Sequence, residues 1–206
     1  MRSAELRTGQ VRAIPHIVAA NSKMGEDVKA LGGADPTLLA LYEVAVSLSN
    51  VEELHLAAEK IVTVARDLLN ANTSTLCWLD SRTGKLRTLA DTSPEMRVPA
   101  WRWPGQGAVG MAFESGQPVV VSDYQSWPHA LKLAAEHAPA SALAMPLKVR
   151  GRTLGGLAVA TLVRRDFGPR DLQLMQLLAG LAAPTLELAL MFRQLRGQRR
   201  ARPRAS

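Results

Sequence analysis

The 206-residue chain has one cysteine, Cys77, four histidines and nine aromatic side chains. A lone thiol excludes an internal disulfide and any cysteine-rich metal site, and it fits a reducing, cytoplasmic setting. The sequence has no His-Glu-x-x-His, no Gly-rich loop ending in Lys-Ser or Lys-Thr, and no supported Ser-His-Asp order. The familiar routes to metal-assisted, phosphoryl-transfer and nucleophilic catalysis are therefore missing, and the chain reads as a non-enzyme. Long apolar runs are lacking too. The N-terminal stretch has scattered charges and no apolar core of the kind a secretory signal needs. The uncharged stretch from Leu172 to Leu186 is shorter than the roughly 20 residues that cross a bilayer, so no membrane partner is expected.

Acidic residues are missing from the C-terminal tail. Arg193, Arg196, Arg199, Arg200, Arg202 and Arg204 stand there without a counter-charge, and they supply most of the net charge of +7. The region between the two ends is close to neutral. A basic tail can hold phosphates by counterion release, but a short charged end is ordinarily solvated. Nucleic acid is not the expected partner.

What is present is periodicity. Residues 1–34 show no sustained period and read as an arm or linker, ending in Gly-Gly-Ala-Asp-Pro with Asp35 as N-cap and Pro36 at the first helical position. A helix is predicted from Pro36 to about Leu48. A second, capped by Asn50, runs to about Leu69, with Leu54, Ala57, Ala58, Ile61, Ala65 and Leu68 at three-and-four spacing. Thr73–Asp80 and Lys85–Ala90, joined by Ser-Arg-Thr-Gly, predict a β-hairpin. Asp91–Pro104 reads as irregular. Gly105–Gly116 predicts a short helix closed by Gly116, followed by a strand over Pro118–Ser122 and a small helix over His129–His137. Ala142–Val149 and Thr153–Leu162 predict a second hairpin across Arg150-Gly151-Arg152. A last helix runs from Phe167 to about Arg196, and Pro184 should kink it. Paired antiparallel strands with long helices at the ends indicate an α+β domain.

The last helix is apolar on two sides. Leu174, Leu177 or Leu178, Leu181, Leu188, Phe192 and Leu195 form one line, and Leu172, Met175, Ala179, Ala182, Leu186 and Leu190 form another. Covering a sheet takes one stripe about 100° wide. The second needs another partner, which is the first helix of the chain, a second copy, or both. A homodimer built on a helical bundle is the preferred expectation.

Several pieces in order resemble the GAF domain family: Gly105-Gln-Gly-Ala-Val-Gly110 with Gly116-Gln-Pro118, Pro118-Val-Val-Val-Ser-Asp123, Ser141-Ala-Leu-Ala-Met-Pro146, Gly151, Leu154-Gly-Gly-Leu-Ala158, and Phe167-x3-Asp171. The resemblance covers about residues 36–196. It implies a GAF/PAS-like central antiparallel sheet of about six strands, N- and C-terminal helices on one face and a ligand pocket on the other. The organisation expected is an arm over 1–34, the domain over 35–196 and a basic, disordered tail over 197–206. The resemblance also implies a sensory or regulatory role in signal transduction, with dimerising terminal helices and a signalling output partner.

Departures from the family's patterns narrow the ligand. Cyclic-nucleotide-binding members carry Asn-Lys and then Phe-x3-Asp-Glu. Here Phe167 and Asp171 match, Leu172 replaces the glutamate, and the Asn-Lys pair is missing. Bilin-binding members attach their chromophore through a cysteine commonly followed by histidine, whereas Trp78 follows Cys77. Methionine-sulfoxide-reducing members use several cysteines, and thiol exchange with one cysteine lacks a resolving partner. Haem remains as an alternative cofactor, with His137 as axial ligand nine residues before Pro146. The other reading of His137 is a helix-terminal histidine stabilised there when protonated. Trp101, Trp103, Tyr124 and Trp127 fall in the segments that line the pocket in similar proteins. With Met111, Asp123 and His137 they are the candidate ligand-binding residues. The same rings could instead fill the pocket, leaving a ligand-free dimerisation module, and Asp123 could cap the helix after it.

Overall fold

In a computed structural model, residues 54–93, 100–133 and 138–201 are described, with side chains up to Met191. The arm over 1–34, the helix expected over 36–48, the Asn50 cap and His137 lie outside them. The elements are α1 (Leu54–Leu68), β1 (Thr73–Asp80), β2 (Lys85–Asp91), β3 (Trp101–Arg102), α2 (Gly107–Ser115), β4 (Val119–Val121), β5 (Ser141–Val149), β6 (Arg152–Thr161) and α3 (Pro169–Ala201). The six strands form one antiparallel sheet in the order β3-β2-β1-β6-β5-β4. Both predicted hairpins are present, and the outer strands β3 and β4 are short.

The strand period of two decides what each face of the sheet carries. On β5, Leu143, Met145 and Leu147 are buried and alternate with Ala142 and Ala144. On β6, Leu157 and Val159 alternate with Gly156, Ala158 and Ala160. One face is therefore bulky and the other is built of alanine and glycine. α1 packs on β1, β2 and β6, while α3 packs on β5 and α1. Their buried Ile61, Val62, Met175, Leu178 and Leu186 complete a core with Leu76, Leu143 and Leu157. Each such side chain stabilises the fold by about 1.5–3 kcal/mol when fully buried. α2 packs on β4, β5 and β6, over the small-residue strip.

Arg165 ties the two long helices together. Its guanidinium donates to the Leu69 and Asn70 carbonyl oxygens at the end of α1 and, at 2.8 Å, to Asp171 Oδ1 in the first turn of α3. Asp171 also accepts from the Gly168 N–H at 2.9 Å, the side-chain half of a capping box. Those contacts explain why the helix starts where Gly-Pro-Arg-Asp stands.

α3 continues through Pro184. Its 23-residue span Pro169–Met191 is, by length and composition, able to cross a membrane, a longer span than the uncharged stretch 172–186 suggests. Here Met175, Leu178, Ala179, Ala182 and Leu186 are buried within the fold, as expected of a core helix. The line Leu177, Leu181, Leu188 and Met191 is exposed.

Two local expectations change. The stretch read as irregular contains β3, because Leu86 and Arg87 pair with Arg102 and Trp101. His129–Leu133, expected to open a helix, is turn and coil. Pro128 precedes it, and Gly107 N–H takes the His129 carbonyl at 2.8 Å, so that carbonyl is committed to α2 instead of a helix of its own.

Candidate functional site

The small-residue face creates a cavity of about 50 Å³ between the sheet, α2 and the segment after β4. Its floor is two rows of cross-strand neighbours. Thr73 faces Ala160, which faces Ala142; Thr75 faces Ala158, which faces Ala144. In the next row Cys77 faces Gly156, and there Val109 of α2 comes down onto the sheet. The cavity lies where α2 no longer covers the floor. Counted over positions open to a water's centre, 50 Å³ holds a few waters or a small organic fragment, since one water needs about 10–15 Å³.

The walls come from three places. Ala108 and Val109 belong to the first turn of α2, and Leu131, Leu133 and Pro139 to the segment between β4 and β5. Tyr124 closes the end between them, its hydroxyl accepting from the Leu131 N–H at 3.3 Å. Burial pushes the Tyr124 phenol above its ordinary range. Behind it Trp127 packs at 5.7 Å between ring centroids, with His129 a further 5.3 Å on.

Of the sequence candidates, Tyr124 lines the cavity. Trp127 is partly buried and supports Tyr124 without reaching the cavity. Trp101 and Trp103 are 43% and 53% exposed, and Lys85 Nζ stands 4.5 Å over the Trp103 ring. Met111 lies on α2 outside the lining. Asp123 pairs with Arg164, and hydrogen bonding to Ser126, followed by the Arg164 charge, holds its carboxyl below the usual range. It braces the turn after β4 to the segment after β6.

Arg102 is the residue that the sequence reading passed over. It lines the cavity and is 5% exposed. Trp101, Arg102 and Trp103 are consecutive, and across a strand neighbours point to opposite faces. Exposed tryptophans on either side therefore send the arginine inward. That Trp-Arg-Trp alternation was the available signal.

Cys77 is fully buried in the same apolar cluster, its sulfur 3.6 Å from Thr88 Oγ1, and burial raises its thiol pKa. Among the described residues no group of three His, Cys, Asp or Glu could hold a metal. A cavity of about 50 Å³ has no room for a porphyrin, so its residues do not fit haem.

The family model for the GAF domain matches residues 52–187. No curated protein matches the sequence. Among solved structures, the chain is similar to the GAF domain of an Acinetobacter phosphoenolpyruvate-protein phosphotransferase, with TM-score 0.66 and 17% identity over 79% of this chain and 99% of that one. The GAF domain of a Coxiella burnetii phosphoenolpyruvate-protein phosphotransferase gives 0.64 and 19% over 79% and 96%. The free methionine-R-sulfoxide reductase of Neisseria meningitidis, in complex with its substrate, gives 0.65 and 18% over 77% and 95%. At these identities the likeness is one of fold.

Proposed function

Because the chain belongs to the GAF domain family, whose members are typically regulatory and sensory modules, we propose that it is a non-catalytic sensor that binds a small organic ligand beside the first turn of α2. The observation that carries this reading is the cavity itself. It is floored by alanines and threonines, closed by the Tyr124 ring and walled by a segment without regular secondary structure over His129–Leu133. A mostly apolar recess with few polar groups is the usual small-molecule site. A ligand there touches α2, the sheet and that segment together, so binding would alter how they pack.

The lone buried Cys77 supports a non-catalytic role over the reductase chemistry of the Neisseria protein, since thiol exchange needs a second thiol within reach. The route outward is α3. Leu177, Leu181, Leu188 and Met191 are exposed at spacings of four, seven and three, with Pro184 on the same line, as in a heptad seam. Two copies pairing along this seam would carry a change in the domain to a signalling partner, in a cytoplasmic setting.

Native mass spectrometry of freshly purified full chain tests both halves. The reading expects a dimer retaining a small molecule, or taking one up from a metabolite extract. A dimer that neither retains nor takes up any molecule would favour the second reading, a ligand-free dimerisation module, which the exposed seam supports by itself.

A further inference from the structure

Among the described residues lining the cavity, Arg102 is the only charged one. Its Nη2 donates to Thr88 Oγ1 at 3.4 Å, a long contact, and its Nε has no acceptor. Among the described residues no carboxylate forms an ion pair with it. Asp91, on the adjoining strand, is engaged elsewhere: it accepts from Thr75 Oγ1 and from the Ser93 N–H. A guanidinium cannot escape by losing its proton, as a buried lysine can. A buried charge without a counter-charge is costly, and among the described residues this one has none, so an anion at this point would be stabilised.

The surroundings favour the same sign. Ala108 and Val109 bring the first turn of α2, its partially positive end, to the cavity wall. The Tyr124 hydroxyl accepts from Leu131, and its own proton has no acceptor among the described residues. Among the described residues, no acidic side chain lines the space. The rest of the floor is alanine methyl groups and the side chains of Thr73 and Thr75, with the Thr75 Oγ1 committed to Asp91.

We propose that the cavity is an anion site for a small carboxylate, the charged end meeting Arg102 Nε–H and a short apolar body lying on Ala142, Ala158 and Ala160. A planar carboxylate matches the edge of a guanidinium and can take two parallel N–H bonds. A phosphate, with its higher charge and more acceptors, would need donors that this wall lacks. The proposal rests on the ligand-binding reading above and adds the chemical class.

The test is calorimetric titration of the full chain, at fixed ionic strength, with acetate, propionate and butyrate, each against its neutral amide, and with inorganic phosphate. The expected result is binding of propionate or butyrate, with the amides roughly tenfold to a hundredfold weaker, since hydrogen bonds to charged groups are the stronger kind. Arg102→Gln should abolish that discrimination, and Arg102→Lys should keep part of it. Circular dichroism would check that each variant is folded, and the carboxylate–amide contrast on the unaltered protein stands without them. Amides binding as well as carboxylates, phosphate binding where no carboxylate does, or a co-purifying molecule without an acidic group would overturn the proposal and leave the ligand-binding reading intact. No uptake of any probe or metabolite would overturn both.

Discussion

Gly156 lies directly beneath Val109: a Cβ built on the glycine would stand 2.9 Å from Val109 Cγ1 and 3.2 Å from the Val109 carbonyl oxygen. The neighbouring Gly155 is tighter still on its other side, with its Cβ position 2.3 Å from the Cys77 carbonyl oxygen. The consecutive glycines let β6 take a helix on one face while β1 runs close beside it. α2 can then rest on the sheet at Gly156 and stand clear of it at the cavity.

Gly156→Ala should therefore lift α2 and destabilise the domain by about 1–3 kcal/mol, as overpacked cores do. Gly155→Ala should cost more, because the obstacle is backbone and cannot rotate away. Gly180→Ala, in α3 with nothing within 4 Å of the added carbon, should instead stabilise by about 0.5–1 kcal/mol. Thermal melts order the three, at about 2–4 °C per kcal/mol for a chain of this size.

Arg165 joins the end of α1 to the start of α3, so its loss should loosen both helices at once. Arg165→Ala is expected to cost about 1–3 kcal/mol by urea denaturation, since it removes donors from two carbonyls and a partner from Asp171. Arg165→Lys should recover only part of this, because an ammonium cannot reach three acceptors as a planar fork does.

The exposed line on α3 gives a test of pairing. Leu181→Lys with Leu188→Lys should convert a dimer to a monomer in light scattering and leave the far-ultraviolet circular dichroism of the domain unchanged. Leu178→Lys, on the buried side, should unfold the domain instead. A double variant that stays dimeric would place the pairing surface elsewhere.

Alkaline pH should weaken the fold in a defined direction. Burial raises the Tyr124 phenol and the Cys77 thiol above their ordinary ranges, so the folded state keeps protons that the unfolded chain has released. Their contribution is intact below the ordinary thiol and phenol values, about 8.5 and 10, and is lost as pH rises beyond them. Stability measured from pH 7 to 11 should fall progressively above about 8.5–10. For the same reason Cys77 should react with thiol reagents slowly until the domain opens.

The legible part of this fold was set by period and punctuation. Leu54, Ala57, Ala58, Ile61 and Ala65 on one side of α1, the Ser-Arg-Thr-Gly and Arg-Gly-Arg turns, and Gly116 as a left-handed C-cap (φ 62°) are local signals that the tertiary structure did not override. β3 was not legible, because a two-residue strand has too little alternation to register and exists by pairing with β2. The expected helix does not open at His129, again for a tertiary reason, since the His129 carbonyl is bonded to Gly107 far away in sequence.

The site was read through its aromatics, because residue type is what a sequence displays. A tryptophan is a large apolar surface wherever it lies, so Trp101 and Trp103 were named and the residue between them was not. The two tryptophans face solvent, and Arg102 faces the cavity. Tyr124 was named because it falls in a segment that lines the pocket in similar proteins, and here it lines the cavity. Asp123, one position earlier, turns outward to Arg164.

Alanine-methyl NMR tests the central claim most directly, because the cavity floor and the helical core are both marked by alanines. With the full chain labelled at alanine methyls, a ligand in the cavity should shift Ala108, Ala142, Ala158 and Ala160, and leave Ala57, Ala58 and Ala65 of α1 in place. Shifts confined to α1, or no methyl moving with any molecule that binds, would contradict it.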